Sequence, residues 1–243
     1  YGQSVIEKAV QDTENVFDAS RSPKQKKLTQ GEIITRDCEE TVSEYLRDQQ
    51  GNPYVVLPFD KHLEVCQTSS SRFRNFCALR YREDFGHPPG SEALKQAKVQ
   101  IEAKCEGGRQ VELYNRVGWH DGAIYYDLTT KDWRGVVITK DGWEVVYLPP
   151  IFKRYPHQAE QVMPVKGCDP KKLLEFCNIS KDDACLFMTV VAAFFIPDIP
   201  HVIPVQIGEQ GTGKSNNSRL IKSLCDPSKV MSISVPKDLE QAQ

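Results

Sequence analysis

The sequence predicts an α+β N-terminal region, built of helices and an antiparallel sheet, followed by the start of a P-loop α/β domain. Three observations carry this. Residues 71–105 repeat apolar side chains at helical spacing. Residues 111–148 are rich in β-branched and aromatic residues and hold the turn pairs Asp121-Gly122 and Asp141-Gly142. Near the C-terminus, Gly208-Glu209-Gln210-Gly211-Thr212-Gly213-Lys214-Ser215 fits the phosphate-loop pattern.

Taken in order, residues 4–17 place Val5, Ile6, Ala9, Val10, Val16 and Phe17 on one helical face. Residues 20–30 are polar and basic and read as an exposed linker. Asp37 is the expected cap of a second helix running through Leu46. Residues 54–59 and 63–67 are short β-type runs around Asp60-Lys61, a hairpin. A helix over 71–85 follows, closed by Gly86 and Pro88-Pro89. Next comes a helix over 91–105 with Ser91 as its cap. The runs 111–117, 123–128, 135–139 and 143–148 predict about four antiparallel strands. Trp119, Trp133 and Trp143 are expected to fill its core, although such rings can also stack on bases.

Pro149-Pro150, Pro156 and Pro164 mark an extended connector, followed by a short helix over 170–177. Ser180 and Asp183 resemble a capping box for a helix over 181–196. That helix is apolar almost all round, so full burial is expected. Its apolar run would span about 20 Å as a helix, short of a ~30 Å hydrocarbon core. Pro197 and Pro200 deliver the chain to an expected strand over 201–207, starting near Pro204. These elements divide the chain into an N-terminal helical segment (1–47), an α+β domain (48–165) and the N-terminal part of a P-loop domain (166–243).

The composition is that of a globular protein, and a net charge of −2 supplies no global basic field for nucleic acid. The eight cysteines, Cys38, Cys66, Cys77, Cys105, Cys168, Cys177, Cys185 and Cys225, contain no Cys-x-x-Cys pair. Reduced, buried thiols of a cytoplasmic protein are the expectation.

Within the phosphate loop, each residue type has a physical job. Gly208, Gly211 and Gly213 permit backbone angles that a Cβ disfavours, which lets successive N–H groups form a nest around phosphate oxygens. Lys214 can reach the β- and γ-phosphates, and the Ser215 hydroxyl can join the shell of Mg²⁺. Glu209, Gln210, Thr212 and Asn216 complete the expected nucleotide-binding set, Asn216 at the start of a helix over 216–225. Asp226-Pro227 stops that helix, and residues 230–235 suggest a further strand with no acidic residue. No catalytic residue is identified.

Four stretches carry a family resemblance. They are Ser71-Arg72-Phe73-Arg74-Asn75-Phe76 with Ser91-Glu92-Ala93-Leu94; Val117-Gly118-Trp119-His120-Asp121-Gly122-Ala123-Ile124-Tyr125-Tyr126-Asp127-Leu128; Asp141-Gly142-Trp143-Glu144-Val145-Val146 followed by Pro149-Pro150; and the apolar helix leading into Gly208-Glu209-Gln210-Gly211. In this order, over roughly residues 45–230, they resemble the replication ATPases of phages, plasmids and integrated elements. These are helicase-like P-loop proteins, often fused to a primase-polymerase. The resemblance implies an AAA+-like motor, ATP and Mg²⁺ as cofactors, DNA as partner of the whole protein, a homo-oligomeric ring and no membrane association.

It also implies a second acidic motif, a sensor and an arginine finger, none of which is recognisable before Gln243. With Tyr1 as the first residue, the expectation is a piece that ends inside the motor domain and is inactive alone. Arg72, Arg74, Arg80 and Arg82 are the candidate nucleic-acid contacts, although at 100° per residue they scatter around their helix. Two other readings compete. One is a nucleic-acid-binding or assembly module with no nucleotide function, distinguished by DNA binding without nucleotide affinity. The other is a P-loop switch ATPase, distinguished by the absence of strand separation.

Overall fold

A computed structural model describes residues 27–230. The expected helix over 4–17, most of the 20–30 linker and nearly all of the 230–235 strand lie outside these residues. The described residues form a mixed α+β structure with two four-stranded sheets.

The first helix, α1 (Gln30–Thr41), begins earlier than Asp37. Thr29 and Glu32 close a capping box: Thr29 Oγ1 accepts from Glu32 N at 3.2 Å, and Thr29 N donates to Glu32 Oε2 at 2.7 Å. Asp37 therefore sits mid-helix rather than at a cap. The chain turns extended at Val42, and Leu46 belongs to strand β1 (Glu44–Arg47), not to the helix.

Strand β1 pairs antiparallel with β2 (Pro53–Pro58), which pairs antiparallel with β3 (Leu63–Gln67). Residues 30–47 thus share one sheet-and-helix layer with the residues that follow. Helices α2 (Ser71–Phe85) and α3 (Ser91–Glu106) come next, then β4 (Arg109–Gln110), parallel to β1. Gly86, at φ 75°, ends α2 in the left-handed region. The cap of α3 is Gly90 rather than Ser91, because Pro88-Pro89 bring the chain extended into Gly90.

Strand β2 is buried on both faces, so it reads as a continuous apolar run without alternation. Val55 and Leu57 pack with Ile34, Cys38, Phe73, Cys77, Ala97 and Ile101 of the helices. Tyr54 and Val56 pack with Leu46, Val65 and Leu113.

The second sheet is a meander of β5 (Val117–His120), β6 (Ala123–Asp127), β7 (Arg134–Thr139) and β8 (Gly142–Tyr147). Asp121 and Gly122 both have positive φ, 48° and 76°, the geometry of a type I′ hairpin turn. In the last hairpin Gly142 pairs with Thr139, so the connection is Lys140-Asp141. Residues 111–116 precede β5 as extended chain outside the sheet, joined through a Tyr114–Phe152 bridge. Among the tryptophans, Trp133 is buried, Trp143 is half-buried and Trp119 is exposed.

Downstream lie a 3-10 helix (Pro170–Glu175), α4 (Ala184–Ala193) and α5 (Lys214–Cys225). Helix α4 is shorter than expected and is not fully buried. Only Val191 is buried, packed with Ile221 and Cys225 of α5, while Leu186 is 65% exposed. One neighbouring helix covers one stripe of an all-apolar cylinder and leaves the rest open. The expected strand over 201–207 does not form either: Ile203 and Ile207 are 89% and 94% exposed. A strand exists only through its neighbours' hydrogen bonds, and no described strand pairs with this segment. Among the described residues, no helix is long and apolar enough to cross a membrane.

Candidate nucleotide-binding loop

The glycine loop closes on the N-terminus of α5. Gly211 and Gly213 adopt φ 88° and 84°, where a Cβ would be strained. Gly208 is tightly packed for a different reason, since a Cβ there would lie 3.0 Å from Thr212 Oγ1. Thr212 Oγ1 in turn donates to Glu209 O at 2.9 Å, folding the loop back on itself.

Gly213 is the N-cap of α5, so no side chain accepts from the first helical amides. Those amides and the helix dipole therefore present unneutralised positive potential at the loop. The helix begins at Lys214, two residues earlier than expected, which places Lys214, Ser215 and Asn216 in its first turn.

Lys214 arches over the loop. Its Nζ donates to Gly208 O at 2.7 Å and Glu209 O at 2.6 Å, with Thr212 Oγ1 at 3.3 Å. The ammonium thus sits at the centre of the glycine loop. Ser215, Asn216, Glu209 and Gln210 are all exposed there. Asn178, which no local pattern flags, donates from Nδ2 to Thr212 O at 3.1 Å and ties the loop to the segment before α4. Gln206 Nε2 reaches Ser218 Oγ at 3.4 Å on α5.

The far end of α5 is docked firmly. Tyr126 Oη donates to Cys225 O at 3.1 Å, and Gln161 Nε2 donates to Ser223 O and Leu224 O at 3.1 and 2.8 Å. These side chains of the second sheet and its connector satisfy terminal carbonyls of the helix. Arg116 completes the joint, donating to Asp127 O, Ala159 O and Pro227 O and pairing with Asp226.

The four arginines of α2 are not brought together. Arg72 forks onto the buried Glu64 carboxylate at 2.8 and 2.9 Å and lies over the Phe59 ring. Arg80 forks onto Asp37 at 2.6 and 2.7 Å. Arg74 and Arg82 are exposed and have no acidic partner among the described residues. Among the described residues, no three or more His, Cys, Asp or Glu side chains gather as a metal site.

A scan against models of protein families finds no match to this chain. A search of curated proteins finds no match either.

Proposed function

We propose that this chain is the nucleotide-binding portion of a DNA-replication helicase or primase-helicase of a mobile element, with ATP and Mg²⁺ as its ligands. One observation carries the nucleotide part: the Lys214 ammonium, 2.6 Å from Glu209 O, lies at the centre of a glycine loop that caps a helix. Phosphate oxygens are the ligand chemistry that this arrangement complements. They would take the place of the two carbonyls at Nζ and accept from the uncapped amides of α5. Ser215 would offer Mg²⁺ one hydroxyl, the remaining ligands coming from phosphate and water.

The helicase part rests on the resemblance of the ordered motifs. The exposed Val202, Ile203, Val205 and Ile207 agree with it, because such residues suit a motor strand that forms when neighbouring strands pair with it. Hydrolysis also needs a carboxylate at the metal and a cation on the transition state. The motifs that would supply them are not recognisable in the sequence, so binding without turnover is the expected behaviour of this chain.

Calorimetric titration with ATP and with ADP, each with Mg²⁺, tests the reading. Saturable binding of both is expected, and the absence of binding at millimolar nucleotide would overturn it.

A further inference from the structure

Asn178 lies outside the glycine loop yet holds one of its peptides, donating from Nδ2 to Thr212 O at 3.1 Å. Thr212 is flanked by Gly211 and Gly213, both in the left-handed region at φ 88° and 84°. A peptide beside glycine meets little steric resistance to turning over, because no Cβ opposes the change. The direction of the Thr212–Gly213 peptide is therefore left open by the loop's own sequence.

A trans peptide points its C=O and its N–H to opposite sides. Asn178 draws Thr212 O toward the segment before α4, so the Gly213 N–H points the other way. No described residue accepts from that N–H. Gly213 is the N-cap of α5, so its amide adjoins the free amides of the first helical turn. Turned over, the same peptide would present a carbonyl oxygen where a phosphate oxygen needs a donor.

The backbone that carries Asn178 is itself held. Before it, Asp169 caps the 3-10 helix, its side chain accepting from Lys171 N at 2.9 Å. Leu173 of that helix packs on Val191, Ile221 and Cys225, the cluster that seats α5 against α4. After it, Ser180 Oγ accepts from Asp183 N at 3.1 Å and donates to Asp183 Oδ2 at 2.7 Å. Asn178 thus sits between two tied turns, one of them packed on the helix that the loop opens. Its side chain is exposed, so removing it leaves no buried group without a partner.

We infer that Asn178 is a positioning residue of the phosphate site: it locks the Thr212–Gly213 peptide so that the Gly213 amide is presented to a nucleotide phosphate. The inference rests on the reading of the loop as a nucleotide site and adds to it a residue remote from the motif in sequence. Asn178 acts through the peptide, without touching the nucleotide.

The test pairs ATP titration with one amide signal. Thr212-Gly213 is the one Thr-Gly step in the sequence. Protein with isotope-labelled threonine carbonyls and glycine nitrogens therefore gives a single carbonyl-to-amide correlation, that of Gly213. In wild type this peak should be sharp and should move on saturation with ADP and Mg²⁺. In Asn178→Ala it should shift and broaden before nucleotide is added, as the peptide exchanges between two orientations. ATP affinity of that variant should fall about three- to tenfold, the loss of one positioning hydrogen bond. Asn178→Gln keeps a donor and should recover most of the loss. Equal ATP affinity for wild type and Asn178→Ala, an unaltered Gly213 peak in that variant, or Asn178→Gln no better than Asn178→Ala would overturn the positioning role while leaving the nucleotide reading in place. A wild type that binds no ATP would remove the nucleotide reading and this role with it.

Discussion

Arg116 Nε lies 3.2 Å from Asp226 Oδ1, joining the segment that leads into the second sheet to the residue that ends α5. Arg116 is nearly buried, whereas Asp226 is half exposed, and the same guanidinium also serves three backbone carbonyls. The helix that begins at the glycine loop is therefore anchored at its opposite end.

This asymmetry predicts unequal mutational costs. Arg116→Ala removes the donors of several buried acceptors and should destabilise the fold by about 3–5 kcal/mol. Asp226→Asn removes one half-exposed charge and should cost no more than about 1 kcal/mol. Urea unfolding followed by circular dichroism measures both, and equal costs would contradict the anchoring role.

A second prediction concerns acid. Asp48 is buried in the turn after β1, and its partners are Lys153 Nζ at 3.3 Å, the Gln50 and Asn52 amides at 3.0 and 2.8 Å, and the Asn52 side chain. Burial alone would raise its pKa, but the hydrogen bonds from Asn52, Gln50 and Lys153 outweigh it and hold the carboxyl below its ordinary value. The unfolded chain then binds this proton more readily than the folded one. The stabilisation is fully present above the unfolded pKa of about 3.9 and is lost as pH falls through the lower folded value. Asp48→Asn should destabilise at neutral pH by about 3–5 kcal/mol, leaving Lys153 without its carboxylate. The difference from wild type should shrink as the pH drops below about 4. Melting temperatures of both proteins across this range check the sign, and a gap that widens in acid would refute it.

Third, the thiols should divide into two classes. Cys168 and Cys185 are exposed, while Cys38, Cys66, Cys77, Cys105, Cys177 and Cys225 are buried. Burial pushes Cys105 up to about 11, and burial with the nearby Asp226 charge pushes Cys225 up to about 12. Cys77 is raised by its contact with Cys38, 3.5 Å away, and by burial. Thiolate is the reactive form, so a chromogenic disulfide reagent at neutral pH should titrate two thiols quickly and the other six only on unfolding. Six fast thiols in the native protein would contradict the packing of the first sheet against its helices.

Much of this fold was legible where local chemistry and tertiary packing agree. The α2 helix and the 63–67 strand are found where helical spacing and β-branched residues place them, and Asp121-Gly122 turns as that pair should. Expectation failed where a neighbour decides the outcome. Glu44-Tyr45-Leu46-Arg47 becomes a strand through β2, which Tyr45 and Leu46 alone do not reveal. Residues 201–207 have strand composition without a pairing strand among the described residues, and α4 has core composition with one covered stripe. At the loop, the glycines and Lys214 were readable because backbone freedom and charge are local properties. Asn178 was not, since only folding brings it to Thr212.

The Mg²⁺ dependence separates the roles of the two residues after the last glycine of the loop. Ser215→Ala should weaken the effect of Mg²⁺ on nucleotide affinity more than the affinity itself, as read by titrations with and without the metal. An unchanged response to Mg²⁺ would remove Ser215 from the site.

The central claim is that the loop around Lys214 holds nucleotide phosphate, and the most direct measurement compares ATP affinity of wild type with that of Lys214→Ala by calorimetry. Losing the ammonium removes charge-assisted hydrogen bonds worth roughly 1.5–3 kcal/mol in total, a fall of about 10- to 150-fold in affinity. Equal affinities for the two proteins would contradict the account.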